Sequence, residues 1–177
     1  GYKVGDRVAV CPMQPEADGP GYGRDGGYAT YSTAPVEYLV PIPDEVDFVQ
    51  AAAATDAGMT SYHAVVGQGG VKEGTKVGII GIGGLGTLGN QFAVLKGAKV
   101  YVASRKASAR EKALKAGAYK AAESILDFKD EGLEVIVDFA GANKTTADAL
   151  EAVAPGGKVV VVGMASLNTN INTSSLI

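Results

Sequence analysis

The 177-residue sequence contains few of the residues that mark several classes of protein. Cys11 is its only cysteine, so it forms neither an internal disulfide nor a four-cysteine metal site, and a reducing compartment is favoured. The formal net charge is −3 without a block of like charges, which argues against nucleic acid or an anionic membrane as the main partner. No apolar run reaches the length of a membrane-spanning helix, and no secretory signal is recognisable. We therefore expect a cytoplasmic globular protein.

Two kinds of sequence follow each other along the chain. Up to about residue 50, short apolar segments flank a loop rich in proline and glycine, which predicts β-strands and loops. From residue 51 onward, apolar segments alternate with helical ones: the predicted strands span 76–81, 99–104, 135–141 and 158–164, and the predicted helices span 84–97, 107–118 and 145–157. Apolar strands separated by helices indicate an α/β fold with a doubly wound parallel sheet. We predict domains at 1–50 and 51–177.

A glycine motif lies where the first of these strands meets the first helix. The sequence GIGGLG fits the pattern G-x-G-x-x-G with one additional glycine. Such glycines allow a tight turn, a close approach of backbone N–H groups to a pyrophosphate, and close packing of helix on strand. The motif predicts a Rossmann-type dinucleotide site; the alternative is a tight turn without a ligand. The candidate cofactor-binding residues are Gly81, Gly83, Gly84, Leu85 and Gly86.

The end of the second strand bears on the choice of dinucleotide. NAD-binding domains usually carry Asp or Glu about 20 residues after the motif, whereas this strand ends in Ser104, Arg105 and Lys106. The small hydroxyl leaves room for a 2′-phosphate, Arg105 can bind it with two parallel hydrogen bonds, and Lys106 adds a charge. We expect NADP(H) to be preferred over NAD(H). The alternative is that Arg105 and Lys106 form a solvated loop pair.

Seven segments, in their order and spacing, resemble the medium-chain, zinc-dependent alcohol dehydrogenase superfamily. They are KVGDRVAV (3–10), GGYATY (26–31), AAAATDAGMTSYHAV (51–65), GIGGLGTLGNQFAVLKGAKV (81–100), EKALKAGA (111–118), VIVDFAG (135–141) and EAVAPGGKVVVVG (151–163). The resemblance covers nearly the whole chain. It implies that residues 1–50 are the C-terminal part of a GroES-like substrate domain and that 51–177 are a Rossmann cofactor domain, incomplete at its C-terminus. It also implies that the N-terminus lies upstream of Gly1.

The same resemblance implies roles for further residues. Members of this superfamily transfer a hydride between nicotinamide and an alcohol or carbonyl at a catalytic zinc. Asp56 falls at the position of one zinc ligand; from the residues alone, Thr55 or Asp56 is instead a helix N-cap. Thr60 resembles a catalytic position near the nicotinamide, and Gly163 and Met164 resemble positions near its carboxamide. The residues implied at the adenosine or its bridge to the nicotinamide are Phe139, Ala140 and Gly141.

The sequence departs from the superfamily at its zinc sites. Two catalytic ligands, a Cys and a His in a Gly-His-Glu motif, have no match, and Cys11 and His63 lie outside those positions. The four-cysteine structural lobe is missing as well. We expect that this chain alone binds the dinucleotide but does not hold the catalytic zinc and is inactive. The full-length enzyme is expected to act on a small alcohol, aldehyde or ketone and to be a homo-oligomer. Two alternatives stay open: a zinc-free quinone or enoyl reductase of the same fold, and a nucleotide-binding module without catalysis.

Overall fold

The computed structural model describes residues 1–12 and 19–176, which form two compact units. The chain divides between Met59 and Thr60. The sequence placed the domain boundary near residue 50, so a helical segment that was predicted for the second domain belongs to the first unit. The identity of the first unit as part of a GroES-like domain stays a prediction.

The first unit contains a two-stranded antiparallel sheet and a helix. Its elements are β1 (Val8–Val10), a short 3₁₀ helix (Val36–Tyr38), β2 (Leu39–Pro41), helix α1 (Phe48–Ala53) and a π-helical turn (Ala54–Gly58). A capping box starts α1: the Gln50 N–H donates to Asp47 Oδ1 (2.7 Å) and the Asp47 N–H donates to Gln50 Oε1 (3.3 Å). Arg7 Nη2 holds the approach to this helix by donating to the Val46 carbonyl (2.5 Å).

The second unit is built around five parallel strands. Its strands are β3 (Lys76–Ile80), β4 (Lys99–Ala103), β5 (Lys120–Ala122), β6 (Leu133–Asp138) and β7 (Val153–Val161). Helix α2 (Met59–Tyr62) begins at the last residue of the first unit and continues in the second. The other helical elements of the second unit are a π-helical turn (His63–Gln68), α3 (Gly84–Leu95), α4 (Ala107–Lys115), a 3₁₀ helix (Ile125–Glu131), α5 (Asn143–Ala152) and a 3₁₀ turn (Thr173–Leu176). The strand order is β5-β4-β3-β6-β7, with every pair parallel. This confirms the predicted Rossmann-type fold.

Apolar side chains alternate along the central strands and form a core on each face of the sheet. Val77 and Ile79 of β3 point to one face, where Ala93 of α3 and Ala113 of α4 pack on them. Ile80 of β3 belongs to the opposite core, together with these residues: Tyr101, Ile125, Phe128, Ile136, Ala149 and Ala152. Successive residues of a strand face opposite sides, so a strand covered on both sides must be apolar throughout. The helices on both faces make the sheet doubly wound.

The last predicted helix differs from the observed one. The sequence predicted a helix over 145–157, but α5 ends at Ala152 and β7 begins at Val153, so Pro155 and Gly156 lie in a strand. The register between β6 and β7 shifts from Leu133↔Val153 to Val135↔Lys158, so Pro155 and Gly156 lie in an irregularity of the pairing, where a proline without an N–H donor is tolerated. The short strand β5 was not predicted at all. Among the described residues, no helix has both the length and the apolar character needed to cross a membrane.

Candidate functional site

The glycine motif turns the chain tightly from β3 into α3. Gly81 has φ +83°, a left-handed conformation that favours glycine, and its N–H donates to the Ala103 carbonyl of β4 (3.0 Å). A Cβ added at Gly86 would collide with the Gly81 carbonyl oxygen. The strand and the helix therefore approach each other so closely that only a hydrogen atom fits at Gly86. These two glycines are explained by the protein's own packing.

Gly83 and Gly84, by contrast, face open space. A Cβ added at either residue would meet nothing within 4 Å, and both residues are exposed. They lie at the start of the 12-residue helix α3, whose first backbone N–H groups have no partner within the helix and carry its positive dipole end. The internal packing does not require glycine at these two positions. The space fits a group that approaches the backbone from outside, and the phosphates of a dinucleotide match its chemistry.

Helix α2 is attached to the glycine motif through a residue that the sequence analysis missed. Ser61 is fully buried, and its Oγ donates to the Leu85 carbonyl in the first turn of α3 (2.9 Å). Thr60, the predicted catalytic residue, immediately precedes Ser61 and is half-buried. The bond fixes the first turn of α3 to α2. The sequence indicated this contact only through a serine next to the predicted Thr60, because the partner of Ser61 is 24 residues away in the chain.

The predicted 2′-phosphate residues follow β4. Ser104 is half-buried, whereas Arg105 and Lys106 are exposed. The Ser104 N–H donates to the Ala122 carbonyl (3.0 Å), and its own carbonyl accepts a hydrogen bond from Arg110 Nη1 (2.6 Å). The backbone at Ser104 is therefore fixed on both sides, and two cationic side chains extend from it into solvent.

The end of β6 carries a buried carboxylate that the sequence analysis did not single out. Asp138 is fully buried, and both of its oxygens accept two hydrogen bonds each. Oδ1 accepts from the N–H groups of Ala140 and Gly141 (2.9 Å each), and Oδ2 accepts from the hydroxyls of Thr145 (2.9 Å) and Thr146 (2.8 Å). A buried carboxylate requires such donors. Asp138 thus determines the path of the predicted cofactor-binding loop Phe139–Gly141. An acidic residue at the end of an apolar strand was the feature of the sequence that could have identified Asp138 as a buried carboxylate.

The loops after β6 and β7 are in close contact. A Cβ on Gly141 would collide with Gly163, and a Cβ on Gly163 would collide with Ala140 and Gly141. The N–H groups of Val162 (2.9 Å) and Gly163 (3.1 Å) both donate to the Asp138 carbonyl. Met164 is 82% exposed. The structure therefore brings four predicted segments to the carboxyl edge of one sheet, where ligands of doubly wound folds bind: the glycine motif, residues 104–106, 139–141 and 163–164.

Asp56 lies in the first unit, on the π-helical turn Ala54–Gly58, and is exposed. The cap of helix α1 is Asp47, upstream of the Thr55 and Asp56 positions considered from sequence. Within residues 1–12 and 19–176, no group of three or more His, Cys, Asp or Glu side chains is arranged to hold a metal ion. His63 Nε2 lies 3.0 Å from Gln68 Nε2, and Cys11 Sγ lies 4.0 Å from Met59 Sδ. The described residues by themselves do not fit a zinc centre.

The ionisable groups with shifted pKa values surround β4 and β5 rather than the glycine motif. Glu131 accepts hydrogen bonds from Lys120 Nζ (2.5 Å) and Tyr101 Oη (3.1 Å). The bond from Lys120 lowers the pKa of Glu131, and the same bond raises the pKa of Lys120. Burial raises the pKa of the Tyr101 hydroxyl, whose ring packs edge-on against Phe128. This cluster fastens β4 and β5 to the 3₁₀ helix that ends at Glu131.

Comparison with known protein families gives a match to the second unit. The family model described as zinc-binding dehydrogenase matches residues 84–177. An alcohol dehydrogenase of Geobacillus stearothermophilus is 34% identical over 173 residues, which are 92% of this chain and 49% of that protein. The NADP-dependent alcohol dehydrogenase 6 of Saccharomyces cerevisiae is 41% identical over 105 residues, which are 59% of this chain and 28% of that protein. The chain spans about half the length, or less, of these curated relatives.

Solved structures show the same fold. Acetophenone reductase from Geotrichum candidum, in complex with NAD, superposes with a TM-score of 0.88 at 29% identity. The match covers 99% of this chain and 57% of that one. A superposition of this extent includes all the strands of the parallel sheet, and the neighbour holds a nicotinamide dinucleotide.

Proposed function

The chain belongs to the zinc-binding dehydrogenase family, and from this premise we propose that it is the cofactor-binding portion of an NADP(H)-dependent alcohol dehydrogenase or aldehyde reductase. The complete protein would transfer a hydride between the nicotinamide and the carbon of a small alcohol, aldehyde or ketone. The observation that carries the proposal is the open space at Gly83 and Gly84 at the start of α3, next to the two exposed cations that follow β4.

The phosphates of the dinucleotide would lie against the first turn of α3. The N–H groups of that turn would donate to the phosphate oxygens without a change in the helix, and the dipole would add to the attraction. Gly81 and Gly86 keep the turn tight, while Gly83 and Gly84 leave the room. Ser61 holds the turn in place from α2. The protein thus supplies a preformed anion site, and the redox chemistry belongs to the cofactor.

The preference for NADP(H) would come from the three residues after β4. A 2′-phosphate beside Ser104 would gain the hydroxyl as a donor, the planar guanidinium of Arg105 and the charge of Lys106. Relatives do not decide this point, because the yeast protein is named as NADP-dependent and the acetophenone reductase structure contains NAD. The local chemistry supports the phosphate, since no acid lies among these residues to repel it.

The nicotinamide would lie toward Thr60 and toward the loop of Gly163 and Met164. The close approach of Gly141 and Gly163 keeps that loop in contact with the loop after β6. Asp56 is proposed as one zinc ligand of the complete protein, and a zinc centre there needs further ligands that the described residues do not bring to it. For this chain alone, we expect cofactor binding without turnover.

A fluorescence titration of this chain with NADPH and with NADH tests the proposal. We expect this chain to bind NADPH more tightly than NADH. Arg105→Ala is expected to weaken the binding of NADPH by about 10- to 100-fold because a charge-assisted phosphate contact is lost. NADH binding should stay nearly unchanged in this variant. Lys112→Ala, which removes an exposed cation of helix α4, is the matched control and should bind both cofactors normally.

The outcomes of this titration separate two parts of the proposal. Equal or tighter binding of NADH by the wild-type chain would overturn the NADP preference and keep the cofactor domain. Binding of neither cofactor by a folded chain would overturn the dinucleotide site itself. Gly83→Ala provides an internal check: its Cβ has room in the protein, so the variant should fold normally and yet lose both cofactors.

A further inference from the structure

Arg110 is a basic residue at the candidate site for which the sequence suggested no role. It lies in the first turn of α4, is half-buried, and its Nη1 donates to the Ser104 carbonyl at 2.6 Å. Within the described part of the chain, no carboxylate forms an ion pair with it. A half-buried guanidinium therefore contacts the backbone of the predicted 2′-phosphate loop, and no carboxylate of the described residues lies within ion-pair distance of it.

The bond from Arg110 fixes a peptide from which the loop starts. On one side, the Ser104 N–H is held by the Ala122 carbonyl of β5 (3.0 Å). On the other, the Ser104 carbonyl is held by Arg110, and a charged donor makes a shorter and stronger bond than a neutral one. The next two residues, Arg105 and Lys106, are exposed. Their direction is therefore set by the orientation of the Ser104 peptide.

We propose that Arg110 is a positioning residue that sets the selectivity for a 2′-phosphorylated dinucleotide. It holds the Ser104 carbonyl so that the Ser104 hydroxyl and the Arg105 guanidinium converge on one phosphate. Its own charge adds to the positive potential there, which favours a dianion over the neutral ribose hydroxyl of NAD(H). This inference rests on the NADP(H) preference proposed above and adds to it a residue that does not itself contact the phosphate.

The test measures dissociation constants for adenosine 2′,5′-bisphosphate and for 5′-AMP, two probes that differ by the 2′-phosphate. Arg110→Ala should raise the dissociation constant of the bisphosphate by about tenfold and change that of AMP by no more than about twofold. Arg110→Gln keeps a donor without the charge, and Arg110→Lys keeps the charge without the planar donor; each should recover part of the selectivity. Lys112→Ala is the matched control on the same helix and should change neither constant.

A double variant shows whether Arg110 acts through Arg105. If it positions Arg105, the losses from Arg105→Ala and Arg110→Ala should add only in part, because part of the effect of Arg110 acts through a side chain that is already gone. Fully additive losses, or equal weakening of both probes by Arg110→Ala, would overturn the positioning role. If Arg110→Ala does not fold, Arg110→Gln tests the positioning role through the same ratio of the dissociation constants for the bisphosphate and AMP. A wild-type chain without preference for the bisphosphate would instead overturn the proposed NADP(H) function, and this inference with it.

Discussion

Replacement of Asp138 tests how the loop after β6 is held. In Asp138→Ala, the N–H groups of Ala140 and Gly141 lose their acceptor, and Gly141 is buried. Thr145 keeps another acceptor, because its hydroxyl also donates to the Ala142 carbonyl at 3.0 Å. The buried Thr146 hydroxyl loses its acceptor at Asp138 as well. The cost is therefore set by two unsatisfied amides and one buried hydroxyl.

Each buried donor that loses its partner lowers the free energy of unfolding by about 1–3 kcal/mol, and the loss of a charged acceptor lies at the upper end of that range. We therefore expect Asp138→Ala to lower the free energy of unfolding by about 3–5 kcal/mol. Asp138→Asn should cost only about 1–2 kcal/mol, because the amide oxygen still accepts both N–H groups and its NH₂ group faces hydroxyls that can rotate to accept. For a protein of this size, 1 kcal/mol corresponds to roughly 2–4 °C in melting temperature.

The assay is thermal and urea unfolding followed by circular dichroism, with the NADPH affinity measured on the folded variants. Asp130→Ala, which removes an exposed aspartate from the 3₁₀ helix of the same unit, is the control and should change stability little. A loss for Asp138→Ala no larger than for Asp130→Ala would refute the reasoning. Equal losses for Asp138→Ala and Asp138→Asn would show that the charge, rather than the acceptor geometry, holds the loop.

Three further predictions concern the rest of the second unit. Gly86→Ala should lower the melting temperature and weaken the binding of NADPH and NADH, whereas Gly84→Ala should keep the melting temperature and weaken only the binding of the two cofactors. Ser61→Ala removes the buried donor to the first turn of α3 and should cost about 1 kcal/mol in urea unfolding. The bond from Lys120 lowers the pKa of Glu131, so the ion pair stabilises the fold at pH values above the ordinary carboxyl pKa. This stabilisation is lost as the pH falls through the lowered pKa of Glu131. The melting temperature of Glu131→Gln should therefore fall less steeply than that of the wild type between about pH 5 and about pH 3.

The sequence alone predicted those features that depend on local patterns. Continuous apolar runs between amphipathic segments predicted the parallel sheet with helices on both faces, and the structure confirms it. The glycine pattern placed the turn between β3 and α3 because the geometry of a tight turn is a local demand on the backbone. The prediction failed where the pattern was ambiguous: Pro155 and Gly156 resemble a helix end, but they lie within β7, at an irregularity in its pairing with β6.

Tertiary structure decided which residues meet, because those contacts join segments that are distant in the chain or that differ in direction. The pattern of the glycine motif predicted a tight turn, room for a backbone approach and close packing of helix on strand. The structure adds the contacts: Gly86 faces the Gly81 carbonyl, and Gly83 and Gly84 face open space. The bond of Ser61 to α3 depends on how α2 packs. Four donors around Asp138 and the guanidinium at the Ser104 carbonyl arise from the folding of loops and helices back onto strand ends. The sequence thus determined the class of the fold and the chemistry available at the edge of the sheet. Long-range packing determined which side chains hold that edge in shape, because side-chain contacts of this kind leave no periodic trace in the sequence.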